Sequence, residues 1–353
     1  MTERETEALP QIARVEPGAI TPGLVTALHT GAVVCRADTG VVALSGPGAV
    51  TCVQGLLTND LELPGDGAFV YGALLTPKGM VVVDGWAARM DTTVTYTVPS
   101  DGRDRALAIF TRSVPPRLAK VVDRSVDLVT FRVAGPRALA VASAAGLALP
   151  NGSGRVLRHE GPDGVETARA SDGAPFVLQI TAPASSAALL ADRLRASGAI
   201  SAEPAALELL RVLAGWPRLG AEMDDKTIPQ EVRFDEIGGV SYTKGCYTGQ
   251  ETVARLHFRG HTNRQLRGLL FDPEPPVTPV GGWSAVSHMD REVGRVTSLA
   301  FVPDTGGGLP GAGRWIGLAV IRREVAPGAM VRAAGRDARV VDLPFSFPAA
   351  SPA

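Results

Sequence analysis

The chain has 353 residues, 45% hydrophobic and 20% charged, with a formal net charge of -1. That length and apolar content supply two or three packed domains and exclude global disorder. The balanced charge excludes bulk electrostatic binding to nucleic acid, which needs a basic excess or a concentrated basic face.

In chain order, Met1–Pro10 is polar and acidic, unlike the basic-then-apolar start of a secretory leader. No run approaches the ~18–20 apolar residues of a spanning helix, so a cytoplasmic protein without membrane contact is expected. β-Branched content predicts strands over Ala32–Cys35, Val41–Leu44, Met80–Val83, Thr92–Val98, Leu128–Val133 and Phe176–Ile180. Apolar spacing predicts helices over Gly48–Leu57, Asp104–Arg112 (stopped by Pro115-Pro116), Ala184–Ala196 and Ala205–Leu213. Strands and helices do not alternate regularly, and no Gly-x-Gly-x-x-Gly follows a strand. The pattern reads as α+β with antiparallel sheets. The proline-rich stretch from Asp272 to Pro279 is a stiff linker. Beyond it, short strands at Val293–Ser298, Gly317–Ile321, Met330–Ala333 and Ala338–Asp342 predict a small all-β module. Within it, Pro303–Gly313 is a glycine-rich, mobile loop that lacks the Gly-Lys-Ser/Thr ending of a phosphate cradle. The division is therefore 1–271 and 272–353.

Chemistry concentrates in Lys244-Gly245-Cys246-Tyr247-Thr248-Gly249-Gln250-Glu251. The glycines allow a tight path and close ligand approach. Lys244 beside Cys246 would favour the thiolate, and Gln250 offers donors and an acceptor to a heterocycle. On chemistry alone a small buried turn residue is the simpler reading of Cys246. The other two of the three cysteines, Cys35 and Cys52, lie in apolar segments and read as core. This sparse set, with no Cys-x-x-Cys, argues against a disulfide framework or a stably bound metal.

The octapeptide resembles the signature of the folate-binding, YgfZ-like proteins of the glycine-cleavage T-protein (aminomethyltransferase) superfamily, whose members act in iron–sulfur cluster assembly and repair. Gln54-Gly55-Leu56-Leu57-Thr58-Asn59-Asp60, Leu75-Thr76-Pro77-Lys78-Gly79, Ile228-Pro229-Gln230-Glu231, Val253-Ala254-Arg255 and Gly294-Arg295-Val296-Thr297-Ser298 fit it too. The resemblance implies a three-lobed fold: two α+β subdomains around a central tetrahydrofolate cavity, and a C-terminal β-barrel. It implies Cys246 and Lys244 as the reactive pair. Tyr247, Gln250, Glu251 and Asn59 are expected near the pterin, with Arg255, Arg259 and Arg264 for the glutamyl tail. The implied cofactor is tetrahydrofolate or a one-carbon derivative. The implied partners are iron–sulfur enzymes or cluster-assembly proteins, and a monomer is expected.

Two departures from the aminomethyltransferases stand out. Their paired aspartates after a Gly-Gly turn align without gaps with Val82 and Val83, and Asp84 falls one place later, a shift that turns a strand side chain to the opposite face. Their pterin-binding acid aligns with Leu213, leaving Glu208 or Glu222 as substitutes. Glycine-cleavage activity is not expected. Two alternatives stay open: a tetrahydrofolate-dependent aminomethyl- or methyltransferase or demethylase using Asp84 or Glu251, and a scaffold that has lost folate.

Overall fold

The computed structural model describes residues 12–159, 164–272, 274–277, 283–304 and 312–345. Two mainly antiparallel sheets face each other across the first two lobes, with one parallel edge pair between Ile200–Ser201 and Val33–Ala37. The chain enters one of them through Val33–Ala37, builds the whole of the other between residues 39 and 123, and then returns through Leu128–Ala134. The sheet built in between has five strands, in the order Phe69–Leu75, Val81–Met90, Thr93–Pro99, Thr39–Ser45, Lys120–Asp123. The other has six, with Val33–Ala37, Leu128–Ala134 and Leu178–Pro183 at its centre.

Period-2 alternation sorts the six-stranded sheet's faces. Val34, Phe131, Val133, Leu178 and Ile180 pack into a core with Val141, Leu190 and Leu194, which come from helices Ala138–Ala144 and Ala187–Ala196. The opposite face carries Cys35, Arg132 and Gln179, paired in one row across three strands. This polar row is turned toward the rest of the molecule.

A third lobe closes the structure. Six strands, from Arg264–Phe271 to Arg336–Val341, form a closed barrel, because Arg291–Pro303 pairs with both Ser284–His288 and Gly313–Arg322. Its first strand precedes the proline-rich segment, and Ala13–Val15 adds to it in parallel. The fold is thus α+β with a C-terminal barrel, and each predicted strand and helix overlaps an observed one. The Pro303–Gly313 loop reading falls on residues 305–311, which lie outside those described, as do Met1–Pro10 and part of the linker. Among the described residues, no helix is long and apolar enough to cross a membrane.

Helix Pro204–Ala214 joins the lobes. Pro204 stands in its first turn, and Gly215 ends it at φ 63°, where a Cβ would lie 2.4 Å from Arg233 Nη1. Its Arg211 donates to Glu208 (2.7 and 2.9 Å), Glu222 (2.8 Å), the Trp216 carbonyl (2.6 Å) and Ser298 of the barrel (2.5 Å). Burial works against this guanidinium's charge, but Glu222 and Glu208 outweigh it and hold the group firmly protonated.

Candidate functional site

A cavity of about 180 Å³ lies where the two sheets and helix Pro204–Ala214 meet. Tyr71, Asp84 and Trp86 come from the five-stranded sheet, Arg132 from the six-stranded one, and Phe176 from the approach to its next strand. Leu207, Glu208 and Arg211 line it from one face of the helix, and Trp216 and Arg218 follow. The walls are aromatic. Trp86 and Trp216 are nearly parallel, 5.9 Å apart and inclined by 11°. Tyr71 meets Trp216 at 4.8 Å, and Phe176 meets Trp86 edge-on at 5.1 Å.

Asp84 reaches this cavity by a β-bulge. Leu75 pairs with Val81 and Leu74 with Val83, so Val82 is the extra residue. Two residues three apart on a regular strand face opposite ways; here Val81 and Asp84 share a side. Val83 and Asp84 pair with consecutive residues, Leu74 and Ala73, so Asp84 faces away from Val83 as expected. Its Oδ2 accepts the Tyr71 hydroxyl at 2.8 Å, and the side chain is buried. Burial pushes its carboxyl up to about 6, against the lowering effect of the Tyr71 hydroxyl and of its own backbone N–H. Opposite, the Arg132 guanidinium lies 4.5 Å from the Phe176 ring. Burial lowers it to about 10, with Asp84 and Cys35 opposing.

Glu208 and Glu222 are committed elsewhere. Glu222 is wholly buried, bound to Arg211, Ser298 and the Arg218 N–H. Glu208 touches the cavity but already holds Arg211 through both oxygens. Leu213 lies beside the Leu343–Phe345 segment, its carbonyl accepting the Phe345 N–H, and does not line the cavity.

The octapeptide lies elsewhere, and none of its residues lines this cavity. Lys244 places its ammonium on the carbonyls of Gln54 (2.7 Å), Leu57 (2.6 Å) and Asn59 (2.8 Å), all from one predicted motif. Burial lowers it to about 8, with Asp60 and Glu62 opposing. Thr248 N–H donates to the Gly55 carbonyl, and the Gln250 side chain folds back on the Tyr247 N–H (3.1 Å). Tyr247 is buried beneath the Lys244 ammonium, 5.1 Å from its ring centroid. Asn59 spends Nδ2 on the Tyr71 and Gly238 carbonyls, both at 2.7 Å. Gly249 (φ +83°) and Gly79 (φ +85°) pack back to back: a Cβ on Gly249 would sit 2.5 Å from the Thr76 carbonyl oxygen, and one on Gly79 2.8 Å from Thr252 Cβ. Three separate sequence motifs thus form one knot.

Cys246 stands out of that knot, exposed. The reading of it as a small buried turn residue is corrected by this exposure, and it does not line the cavity described above. Cys35 is buried and pushed up to about 11 by burial, whereas Cys52 is only half-buried. Glu251, Arg255 and Arg259 lie exposed on the helix Gln250–Arg259, and Arg264 is exposed at the barrel's edge. Among the described residues, no three His, Cys, Asp or Glu side chains gather as a metal site.

A family model described as the GCVT N-terminal domain matches residues 27–237. The chain belongs to the GCVT family. Within it the chain is YgfZ-like: a tRNA-modifying protein YgfZ of Serratia proteamaculans is 31% identical over 237 residues, 66% of this chain and 68% of that protein. Another, from Vibrio vulnificus, is 33% identical over 145 residues, 40% of this chain; the match spans only 42% of that relative's length. An aminomethyltransferase of Rubrobacter xylanophilus is 29% identical over 314 residues, 87% of this chain and 80% of that one. The glycine cleavage system aminomethyltransferase T of Bartonella henselae superposes with a TM-score of 0.75, over 95% of this chain and 91% of that one, at 19% identity, a likeness of fold.

Sequence reasoning missed Tyr71, Trp86, Arg132, Phe176, Trp216 and Arg218. One signal was available: in a chain with 5% aromatic residues and four tryptophans, two of the four line one cavity.

Proposed function

We propose that this chain binds tetrahydrofolate or a one-carbon derivative in the cavity between its sheets and assists the assembly or repair of iron–sulfur enzymes, presenting Cys246 to them. The observation that carries this reading is the division of labour between the two places. The cavity has flat aromatic walls and buried polar groups suited to a pterin. The octapeptide has Lys244, Thr248 and Gln250 tied into the knot, with the Cys246 thiol and Glu251 displayed. At about 180 Å³ the cavity is smaller than the ~300–1,000 Å³ usual for small-molecule sites. It therefore takes the ring, while the glutamyl tail runs outward past Arg218, whose side chain is 42% exposed.

One cysteine cannot hold a cluster, which normally has four protein ligands; Cys246 therefore acts together with ligands of the partner. An effect on tRNA, as the names of the YgfZ relatives describe for those proteins, follows at one remove if the assisted enzyme modifies tRNA. Calorimetry with tetrahydrofolate and folinic acid tests the first half: no heat at millimolar ligand removes folate. For the second half, the gene is deleted, cluster-dependent enzymes are assayed, and Cys246→Ala is used to complement. Full rescue by the alanine form removes the thiol.

A second reading gains from the position of Asp84. A buried carboxylate with a raised pKa at a ring-binding cavity suits proton transfer in a tetrahydrofolate-dependent methyl- or aminomethyltransferase or demethylase. Turnover of a methylated amine, lost in Asp84→Asn, would favour it.

A further inference from the structure

The cavity contains an opposed charge pair that is not joined. Asp84 rises from one sheet and Arg132 from the other, and each lies within the other's electrostatic influence. Among the described residues no ion pair links them, and Arg132 makes neither a hydrogen bond nor a salt bridge. Asp84 is 5% exposed and its Oδ1 accepts no bond from another residue; Arg132 Nε is likewise sheltered and without a partner. Beside Arg132, in strand register, Gln179 is 3% exposed and its Oε1 is also unpartnered, although its Nε2 donates to Thr97 of the cavity wall at 3.3 Å. Buried polar atoms are almost always hydrogen-bonded. Asp84 and Arg132, from facing sheets, both line the slot between the aromatic rings, with Gln179 beside Arg132, and mark a place shaped for polar atoms of something else.

We infer that Asp84 and Arg132 together grip one lactam edge of a ring held in the cavity, the ring N–H donating to Asp84 Oδ1 and the ring carbonyl accepting from the Arg132 guanidinium. This rests on the folate reading and deepens it, since the 2-amino-4-oxo edge of a reduced pterin supplies that donor next to that acceptor. The positions are particular to the cavity's geometry. Tyr71 holds the other Asp84 oxygen, leaving Oδ1 as the one without a hydrogen-bond partner, and Phe176 supports the guanidinium plane. Glu208 and Arg211 cannot take over, because Glu208 holds Arg211 through both oxygens and the other Arg211 donors go to Glu222, Trp216 and Ser298. The glutamyl tail plays no part in this grip.

The test is calorimetric titration of the full chain, its Asp84→Asn variant and its Arg132→Met variant. The ligands are tetrahydrofolate, the tail-less ring 6-methyltetrahydropterin, and the tail fragment p-aminobenzoylglutamate. Thermal melts confirm that the variants are folded, and Arg132→Lys serves where Arg132→Met is not. Charge-assisted hydrogen bonds of this kind are worth about 10- to 100-fold in affinity. Each variant should weaken tetrahydrofolate and the free ring alike by that factor and leave the tail fragment unchanged. Parent and variants binding both ring ligands within about threefold of one another would overturn the grip while leaving the folate reading intact. No binding of either ring ligand by the parent would remove the folate reading, and the grip with it.

Discussion

The ammonium of Lys244 stands 2.7 Å from the Gln54 carbonyl oxygen, and two further carbonyls complete its three donor contacts. The lysine of the octapeptide is therefore a clasp across 190 residues of sequence. Removing its head group leaves three carbonyls short of a donor. Lys244→Met should lower stability by about 2–4 kcal/mol in urea unfolding. Cys246→Ser, at an exposed site, should stay within about 0.5 kcal/mol of the parent. Equal effects would contradict this account.

The two glycines of the octapeptide should behave unlike each other. Gly249 sits at φ +83° against the Thr76 carbonyl, so Gly249→Ala should cost about 2 kcal/mol or more. A Cβ on Gly245 meets nothing within 4 Å, and Gly245→Ala should be neutral to within about 0.5 kcal/mol. Paired thermal melts decide it.

Asp84 gives a pH signature. Its pKa rises from 3.8 to about 6 on folding, so between those values the folded state holds more protons than the unfolded one. Stability from this group is therefore lost as pH rises through that window. A shift of this size corresponds to at most about 3 kcal/mol. Arg132 loses its nearby counter-charge in Asp84→Asn, which offsets part of the gain. The variant should be more stable than the parent by about 1–2 kcal/mol at pH 7–8, with the gap closing near pH 4. A parent that is the more stable at pH 8 would overturn the sign.

Arg211 should be the most costly single position. Its loss takes the buried counter-charge from Glu208 and from the wholly buried Glu222, and a donor from Ser298. Arg211→Met should destabilise by about 3–5 kcal/mol. Because the network ties the helix to the barrel, proteolysis should release the barrel region early in this variant.

Local pattern was legible in the chain where local physics decides it. The proline start and glycine stop around Pro204–Ala214 and the β-branched runs at Thr93–Pro99 and Leu128–Ala134 are examples. The octapeptide and the Gln54–Asp60 and Leu75–Gly79 runs were conspicuous too, but their mutual docking was not: nothing local says that Lys244 ends on the Gln54 carbonyl. The cavity was the least legible part, being assembled from single residues of Tyr71, Asp84, Arg132, Phe176 and Trp216 that only sheet packing brings together. The bulge at Val82, which puts Val81 and Asp84 on one side, likewise left no mark in composition.

The knot around Cys246 has a practical consequence. Of the three thiols, this one is exposed, and it is mounted on backbone pinned by Lys244, Thr248 and Gly249 rather than on a loose loop. A maleimide dye placed there would have a fixed origin, outside the cavity between the sheets and its two tryptophans. With Trp283 and Trp315 replaced by Phe, Trp86 and Trp216 remain as the intrinsic emitters on one side and the dye stands on the other, so that a single molecule carries two separate optical channels: one for what enters between the sheets, one for what approaches the thiol from outside.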